Sequence, residues 1–190
     1  MDIEASARKK LISLLADSFD CIEECQLNLV GFDEALRADI VALSKSEADP
    51  WILAFEVKVP TEKWELKQWL NALRQAGNYP NCRVVDERAR SANGGLINAS
   101  FIYPEPNLSR WGERDSQSSR FYRSHDIEPL RGAILLAQHF KVGTTNYVSK
   151  RNKFSLKLGT DPIWDNSSGF RKKSASLLVQ RKIGSTKRSV

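Results

Sequence analysis

Two hydrophobic periods alternate along the chain, and each change of period marks an element. Leu11, Leu14, Leu15, Ser18 and Ile22 recur on one face at helical spacing and predict a helix over residues 3–19. Projected at about 100° per residue, Glu4 lands on that same face, nearer the N-terminus. Residues 20–31, DCIEECQLNLVG, read as an irregular strand ending in Gly31, and residues 37–43, RADIVAL, as a second strand. SKSEADP is a polar turn closed by Pro50. WILAFEVKV, residues 51–59, is dense in β-branched and aromatic residues and predicts a stronger strand. Pro60 and Thr61 end it, with Thr61 as N-cap of a helix running to about Asn78, where Gly77 and Pro80 are stop signals. In that helix Leu66, Leu70 and Leu73, flanked by Trp69, form the core stripe. Trp64, Gln68, Ala72, Gln75 and Tyr79 project to the opposite side. CRVV fits a short strand, and INASFIYP, residues 97–104, a further one. Residues 105–126 read as a long polar loop, and residues 127–140 as a helix with Pro129 in its first turn. NYV, KFSLKL and ASLLVQRKI are strand-like pieces between basic, Ser-rich stretches of residues 141–190. The order α-β-β-β-α-β-(loop)-α-(β) predicts an α/β or α+β domain on a mixed central sheet over residues 1–140. A basic C-terminal extension, 141–190, would pack on that core or trail from it.

Charges interrupt the strands. Leu53, Phe55, Val57 and Val59 share a wholly apolar strand face, whereas Ile52, Ala54, Glu56 and Lys58 share the other. Glu56 and Lys58 therefore stand about 7 Å apart on one face. If Leu43 pairs with Ile52 in a hairpin, Asp39 falls opposite Glu56, with Cβ atoms about 5 Å apart. Two carboxylates so placed repel and desolvate one another unless a cation lies between them. Oxygen ligands with open positions suit Mg²⁺ or Mn²⁺ better than Zn²⁺. A cross-strand salt bridge of Lys58 with either acid on a solvated face is the competing reading.

Composition narrows the partners. The formal net charge of +6 is unevenly spread: residues 141–190 hold 12 Lys/Arg and 2 Asp, the rest of the chain 17 Lys/Arg and 21 Asp/Glu. A basic tail on a mildly acidic body suggests a polyanion partner, a solubilising tail being the alternative. Three cysteines, Cys21, Cys25 and Cys82, make no disulfide framework and suit a reducing cytoplasm. With His125 and His139 isolated, no zinc site is expected. No apolar run approaches about 18 residues, so no membrane span is expected, and the N-terminus lacks the apolar core of a signal peptide.

Asp39, followed after a turn by Glu56-Val57-Lys58, resembles the D…(D/E)-x-K signature of the PD-(D/E)XK nuclease superfamily. ADIVAL…AFEVKV is similar to the strands of archaeal Holliday-junction resolvases and RecB-like nucleases. The resemblance covers residues 3–104. It departs at Ala38, where the family often has Pro. Gln75-Ala-Gly-Asn-Tyr79 resembles the Q-x-x-x-Y motif on the following helix. The resemblance implies a restriction-endonuclease-like αβββαβ core with a mixed central sheet flanked by helices. It also implies a Mg²⁺-dependent deoxyribonuclease, with Mn²⁺ able to substitute. Asp39, Glu56 and the Val57 carbonyl would hold the metal, assisted by an acid on the first helix. Glu4 fits that place, with Glu23 and Glu24 as competitors. Lys58 and Gln75 would complete the catalytic set. The three cysteines are not placed for the iron–sulfur cluster that one branch carries.

DNA is the expected substrate, with weak sequence specificity, because no reader module is recognisable. Tyr79 and the basic residues Arg171, Lys172 and Lys173 are the expected nucleic-acid contacts, the latter by salt-dependent attraction to phosphates. Arg110, Trp111, Arg114, Arg120, Phe121, Tyr122 and Arg123 interleave arginines with aromatics, a pattern that grips phosphates and stacks bases. A homodimer is compatible with the resolvase branch, and a prokaryotic or phage setting with the family. A non-catalytic nucleic-acid-binding protein is the alternative function.

Overall fold

The computed structural model describes residues 2–48, 50–59, 65–89, 93–104, 133–134, 136–159, 161–171 and 178. Asp2 caps the first helix, α1 (Ile3–Leu15), by accepting a hydrogen bond from the Glu4 amide. Three antiparallel strands follow: β1 (Phe19–Leu29), β2 (Ala35–Ser44) and β3 (Ile52–Val57). A second helix, α2 (Glu65–Asn78), crosses over and leads through the short edge strand β4 (Cys82–Val84) to β5 (Ala99–Tyr103). β5 lies parallel to β3, as a helical crossover permits. β6 (Val142–Val148) then pairs in parallel with β5. β7 (Lys153–Leu158), β8 (Asp161–Asp165) and β9 (Gly169–Phe170) continue as an antiparallel meander.

The result corrects the expected fold class. The described residues form one mixed nine-stranded sheet, ordered β4-β1-β2-β3-β5-β6-β7-β8-β9, curled into a half-barrel, with α1 and α2 the only α-helices whose bounds the described residues give. It is not a helix-flanked αβββαβ core. The local order α1-β1-β2-β3-α2 is present, but residues 142–170, read from sequence as part of an extension, supply four strands of the same sheet. Their alternating apolar residues are the reason: Phe154, Leu156 and Leu158 of β7, then Ile163 and Trp164 of β8, are buried and need a common core.

That core lies inside the curl. Phe19 of β1 meets Trp164 of β8 at 5.3 Å and Phe170 of β9 at 5.8 Å between ring centroids, although β2, β3, β5, β6 and β7 separate them in the sheet. Leu11 and Leu15 of α1 join this cluster. The opposite face carries a second cluster, under Trp69, Ala72, Leu73 and Ala76 of α2. The buried stripe of α2 thus differs from the expected leucine stripe: Leu70 is 37% exposed, and small Ala72 and Ala76 let the helix lie close to the sheet. Of the expected helix over 127–140, residues 133–134 and 136–137 are helical, and much of the remainder lies outside the described residues. The 105–126 loop with its arginines and aromatics, and Lys172 and Lys173, also lie outside them.

Candidate active site

The β2–β3 register places the two acids. Leu43 pairs with Ile52, the register assumed for the hairpin, and the ladder runs to Ile40 opposite Phe55. It stops there, one step short of Asp39 and Glu56. Beyond it the Asp39 carboxylate takes over from the backbone: Oδ2 accepts a 2.7 Å hydrogen bond from the Val57 amide.

A matched irregularity in β1 and β2 explains why β2 leaves the ladder. The β1–β2 pairing passes from Glu23–Ile40 to Cys25–Ala38 and leaves Glu24 and Asp39 out. Glu24 has φ 49°, a left-handed conformation that few non-glycine residues adopt. On either side of this point the strands switch faces. Ile22 and Val41 pack under α2, and so do Cys25 and Ala38, which are an odd number of residues away. Asp39 therefore sits where neither face of the sheet claims its side chain.

Glu56 shares the α2 side with Ile52 and Ala54. It is 7% exposed, and its Oε2 accepts a 2.5 Å hydrogen bond from the Tyr79 hydroxyl. Tyr79 follows α2 directly and also lies 3.1 Å from the Arg37 carbonyl. Burial raises the Glu56 carboxyl to about 7; the tyrosine bond opposes this, and Asp39 adds to it. Burial likewise raises Asp39, opposed by the Val57 amide and by the positive charge of Arg8. The second oxygens, Asp39 Oδ1 and Glu56 Oε1, have no hydrogen-bond partner among the described residues.

Lys58 follows β3. Its Nζ lies 2.8 Å from Oε1 of Glu4, which α1 presents to the site. That hydrogen bond, more than the surrounding acids, raises the lysine above its ordinary pKa, so it stays an ammonium at neutral pH. The structure thus brings Asp39, Glu56, Val57, Lys58 and Glu4 together. Glu23 is exposed, and Glu24 pairs with Arg8 and Arg37 on the other side of Asp39.

One motif residue, Tyr79, is placed differently from its expected role. Tyr79 is 2% exposed, and its hydroxyl is spent inside the protein, so it braces Glu56 and offers no surface to a base. Gln75 is exposed on α2, one turn before Tyr79. Arg171 is exposed just after β9, with Nη2 3.5 Å from Asp165 Oδ2. Sequence reasoning missed Arg8. Its signal was its position four residues after Glu4, on the same helical face.

The donor set fits a hard divalent cation. It offers carboxylate oxygens alone, and Mg²⁺ commonly uses one or two carboxylates and keeps several waters. Among the described residues no group of three or more His, Cys, Asp or Glu is placed to hold a metal ion, so Glu4 does not join Asp39 and Glu56 as a third acidic ligand. No described helix is long and apolar enough to cross a membrane. Compared with protein-family models, curated proteins and solved structures, the chain matches none.

Proposed function

We propose that the protein is a divalent-metal-dependent nuclease that hydrolyses phosphodiester bonds in DNA. The observation that carries this reading is the pairing of two half-to-fully buried carboxylates, both pushed toward protonation, beside a lysine whose hydrogen bond to Glu4 favours its charged form. Such an arrangement is costly for a folded chain and is characteristic of sites that bind ions or do chemistry.

Asp39 and Glu56 would hold Mg²⁺, or Mn²⁺, through the oxygens that face away from Val57 and Tyr79. The bound ion would lower the pKa of a water and offset charge building on the phosphate. The Val57 amide and the Tyr79 hydroxyl fix the two carboxylates, so little reorganisation is needed on binding. Lys58, charged at neutral pH, would act on the phosphate electrostatically and not as a base. Glu4 positions its ammonium. Basic residues of the C-terminal segment would add affinity without sequence preference.

A labelled panel of single-stranded, duplex and branched DNA and of RNA, incubated with Mg²⁺, Mn²⁺ or EDTA, tests the proposal. We expect metal-dependent cleavage of DNA that Glu56→Ala and Lys58→Met abolish while DNA retention persists. Retention of DNA by wild-type protein with no cleavage of any substrate would replace this reading with a non-catalytic nucleic-acid-binding protein.

A further inference from the structure

The opposite flank of Asp39 carries a second charged cluster. Arg8 of α1 bonds through Nη1 to Oε1 of Glu24, and Arg37 of β2 approaches Oε2 of the same carboxylate at 3.0 Å. One acid therefore serves two guanidinium groups. Arg8 Nε is buried and has no hydrogen-bond partner among the described residues, an arrangement that calls for an explanation. The Arg8 side chain keeps 21% exposure, Glu24 39% and Arg37 69%, so the cluster opens to solvent. The left-handed backbone at Glu24 turns its carboxylate away from the sheet's regular course, at the position opposite Asp39.

The charges around the proposed metal pair are instructive. Glu4, Glu24, Asp39 and Glu56 face Arg8, Arg37 and Lys58. With all four carboxylates ionised, as a bound metal would require, four negative charges against three cations leave one negative charge. A divalent ion would turn this into one positive charge, which a single phosphodiester neutralises. Of the three cations, Lys58 is committed to Glu4, and Arg37 suffices to neutralise Glu24. Arg8 is the surplus group, and its charge already reaches Asp39.

We propose that Arg8 is a substrate-contacting residue of this site: its guanidinium leaves Glu24 and grips the non-bridging oxygens of the phosphate that enters beside Asp39. Glu24 is its holding partner in the free protein, and Arg37 keeps Glu24 paired after the exchange. Arginine suits this role because its planar fork matches phosphate oxygens two at a time. The inference rests on the nuclease reading, since that reading puts a phosphate beside Asp39.

The test measures binding and turnover separately. Binding of a fluorescent DNA duplex is followed by anisotropy with Ca²⁺ in place of Mg²⁺, over a range of salt. Cleavage kinetics are measured with Mg²⁺. For Arg8→Gln we expect affinity about tenfold weaker, equivalent to about 1.4 kcal/mol, and a slope of log affinity against log salt reduced by about 1. Arg8→Lys should recover part of the affinity. Glu24→Gln should bind DNA more tightly than wild type, because phosphate no longer competes with a carboxylate. If Arg8 only ties α1 to β1, Arg8→Gln and Glu24→Gln would both lower the melting temperature and leave affinity and salt slope unchanged; that result overturns the proposal. Should Arg8→Gln fail to fold, Glu24→Gln decides: tighter binding supports the exchange and unchanged binding overturns it. Binding that responds to both variants as expected, in a protein that cleaves nothing, would remove the nuclease reading and keep the phosphate contact. No DNA binding at any salt would remove both.

Discussion

Glu56→Gln should stabilise the metal-free protein while destroying its proposed activity, and the gain should depend on pH. The Glu56 carboxyl titrates at about 7 in the folded chain against 4.5 for an ordinary glutamate. Between those values the folded state holds a proton that the unfolded state has released, so stability falls as pH rises through this window. Above about 7 both states are ionised, and the folded state carries the full cost of a buried charge. The difference corresponds to about 3.5 kcal/mol as an upper bound, at about 1.4 kcal/mol per pH unit. Glutamine is neutral, fills the same volume, and keeps an oxygen to accept from Tyr79. At pH 8 without metal, Glu56→Gln should therefore raise the melting temperature by several degrees, at roughly 2–4 °C per kcal/mol for a chain of this size. At pH 4.5 the gain should shrink toward zero, because the wild-type carboxyl is already protonated when folded. Saturating Mg²⁺ should narrow the gap at pH 8 by stabilising wild type alone, through binding to the folded state. Thermal melts at the two pH values, with and without Mg²⁺, measure all of this. An increment that is equal at pH 4.5 and pH 8, or a variant less stable than wild type at pH 8, would refute the claim that an uncompensated buried charge sits at Glu56.

Tyr79→Phe removes the donor that holds Glu56 down. The carboxyl should then titrate above 7 by about one pH unit, since a hydrogen bond to a charged group contributes about 1.5 kcal/mol; an NMR titration of the Glu56 side chain reads the midpoint, and an unmoved midpoint would strip Tyr79 of its bracing role. Gly143→Ala should destabilise the chain by about 2–3 kcal/mol or more through overpacking. A Cβ there would stand 2.2 Å from the Lys157 carbonyl oxygen and 2.6 Å from the Phe101 ring, both fixed parts of the sheet and its core. Urea unfolding measures it, and a change below about 0.5 kcal/mol, the usual range of surface substitutions, would mean that β5, β6 and β7 do not approach as closely as described.

Much of the first hundred residues was legible because each element there carries its own local signal. WILAFEVKV alternates faces, so Phe55 and Glu56 had to point oppositely, whereas the pairing of Leu43 with Ile52 entered as a condition that the β2–β3 register meets. The second half was misread for a physical reason. KFSLKL, the whole of β7, and NYV, the end of β6, did read as strand-like, but β8 and β9 are short and poor in apolar residues: β9 is Gly169–Phe170, and β8 has Ile163 and Trp164 between two aspartates. Segments of this kind gain their place from partners distant in sequence, such as Phe19 for Trp164, and no local period records that. The stripe of α2 failed similarly. Leucine content pointed to Leu70, but close packing on the sheet selected alanines, which a hydrophobicity pattern ranks lower. Asp39, Glu56, Lys58 and Glu4 were legible as residues with unusual placements. Arg8 was not, because an arginine on an amphipathic helix has a solvent-facing explanation until its neighbours are known.

The irregularity at Glu24 and Asp39 links this fold to the chemistry proposed for it. A regular β2 would pair Asp39 with Glu24 on one side and with Glu56 on the other, and the Val57 amide would bond a backbone carbonyl. All three carboxylates would then crowd one another, with no donor for any of them. By switching faces at the same step, β1 and β2 withdraw their backbone from this spot. Glu24 turns to the arginines, and the released Val57 amide becomes the anchor for Asp39. Glu56 stays on the α2 side, where Tyr79 is the one neighbour in reach with a proton to donate among its described contacts. The local cost, a left-handed glutamate and a lost ladder step, thereby separates four acids into two that are neutralised by side-chain cations and two that are held by neutral donors with an oxygen to spare. Restoring the regular strand would remove that separation, and with it the reason for this chain to keep two carboxyls where burial resists their charge.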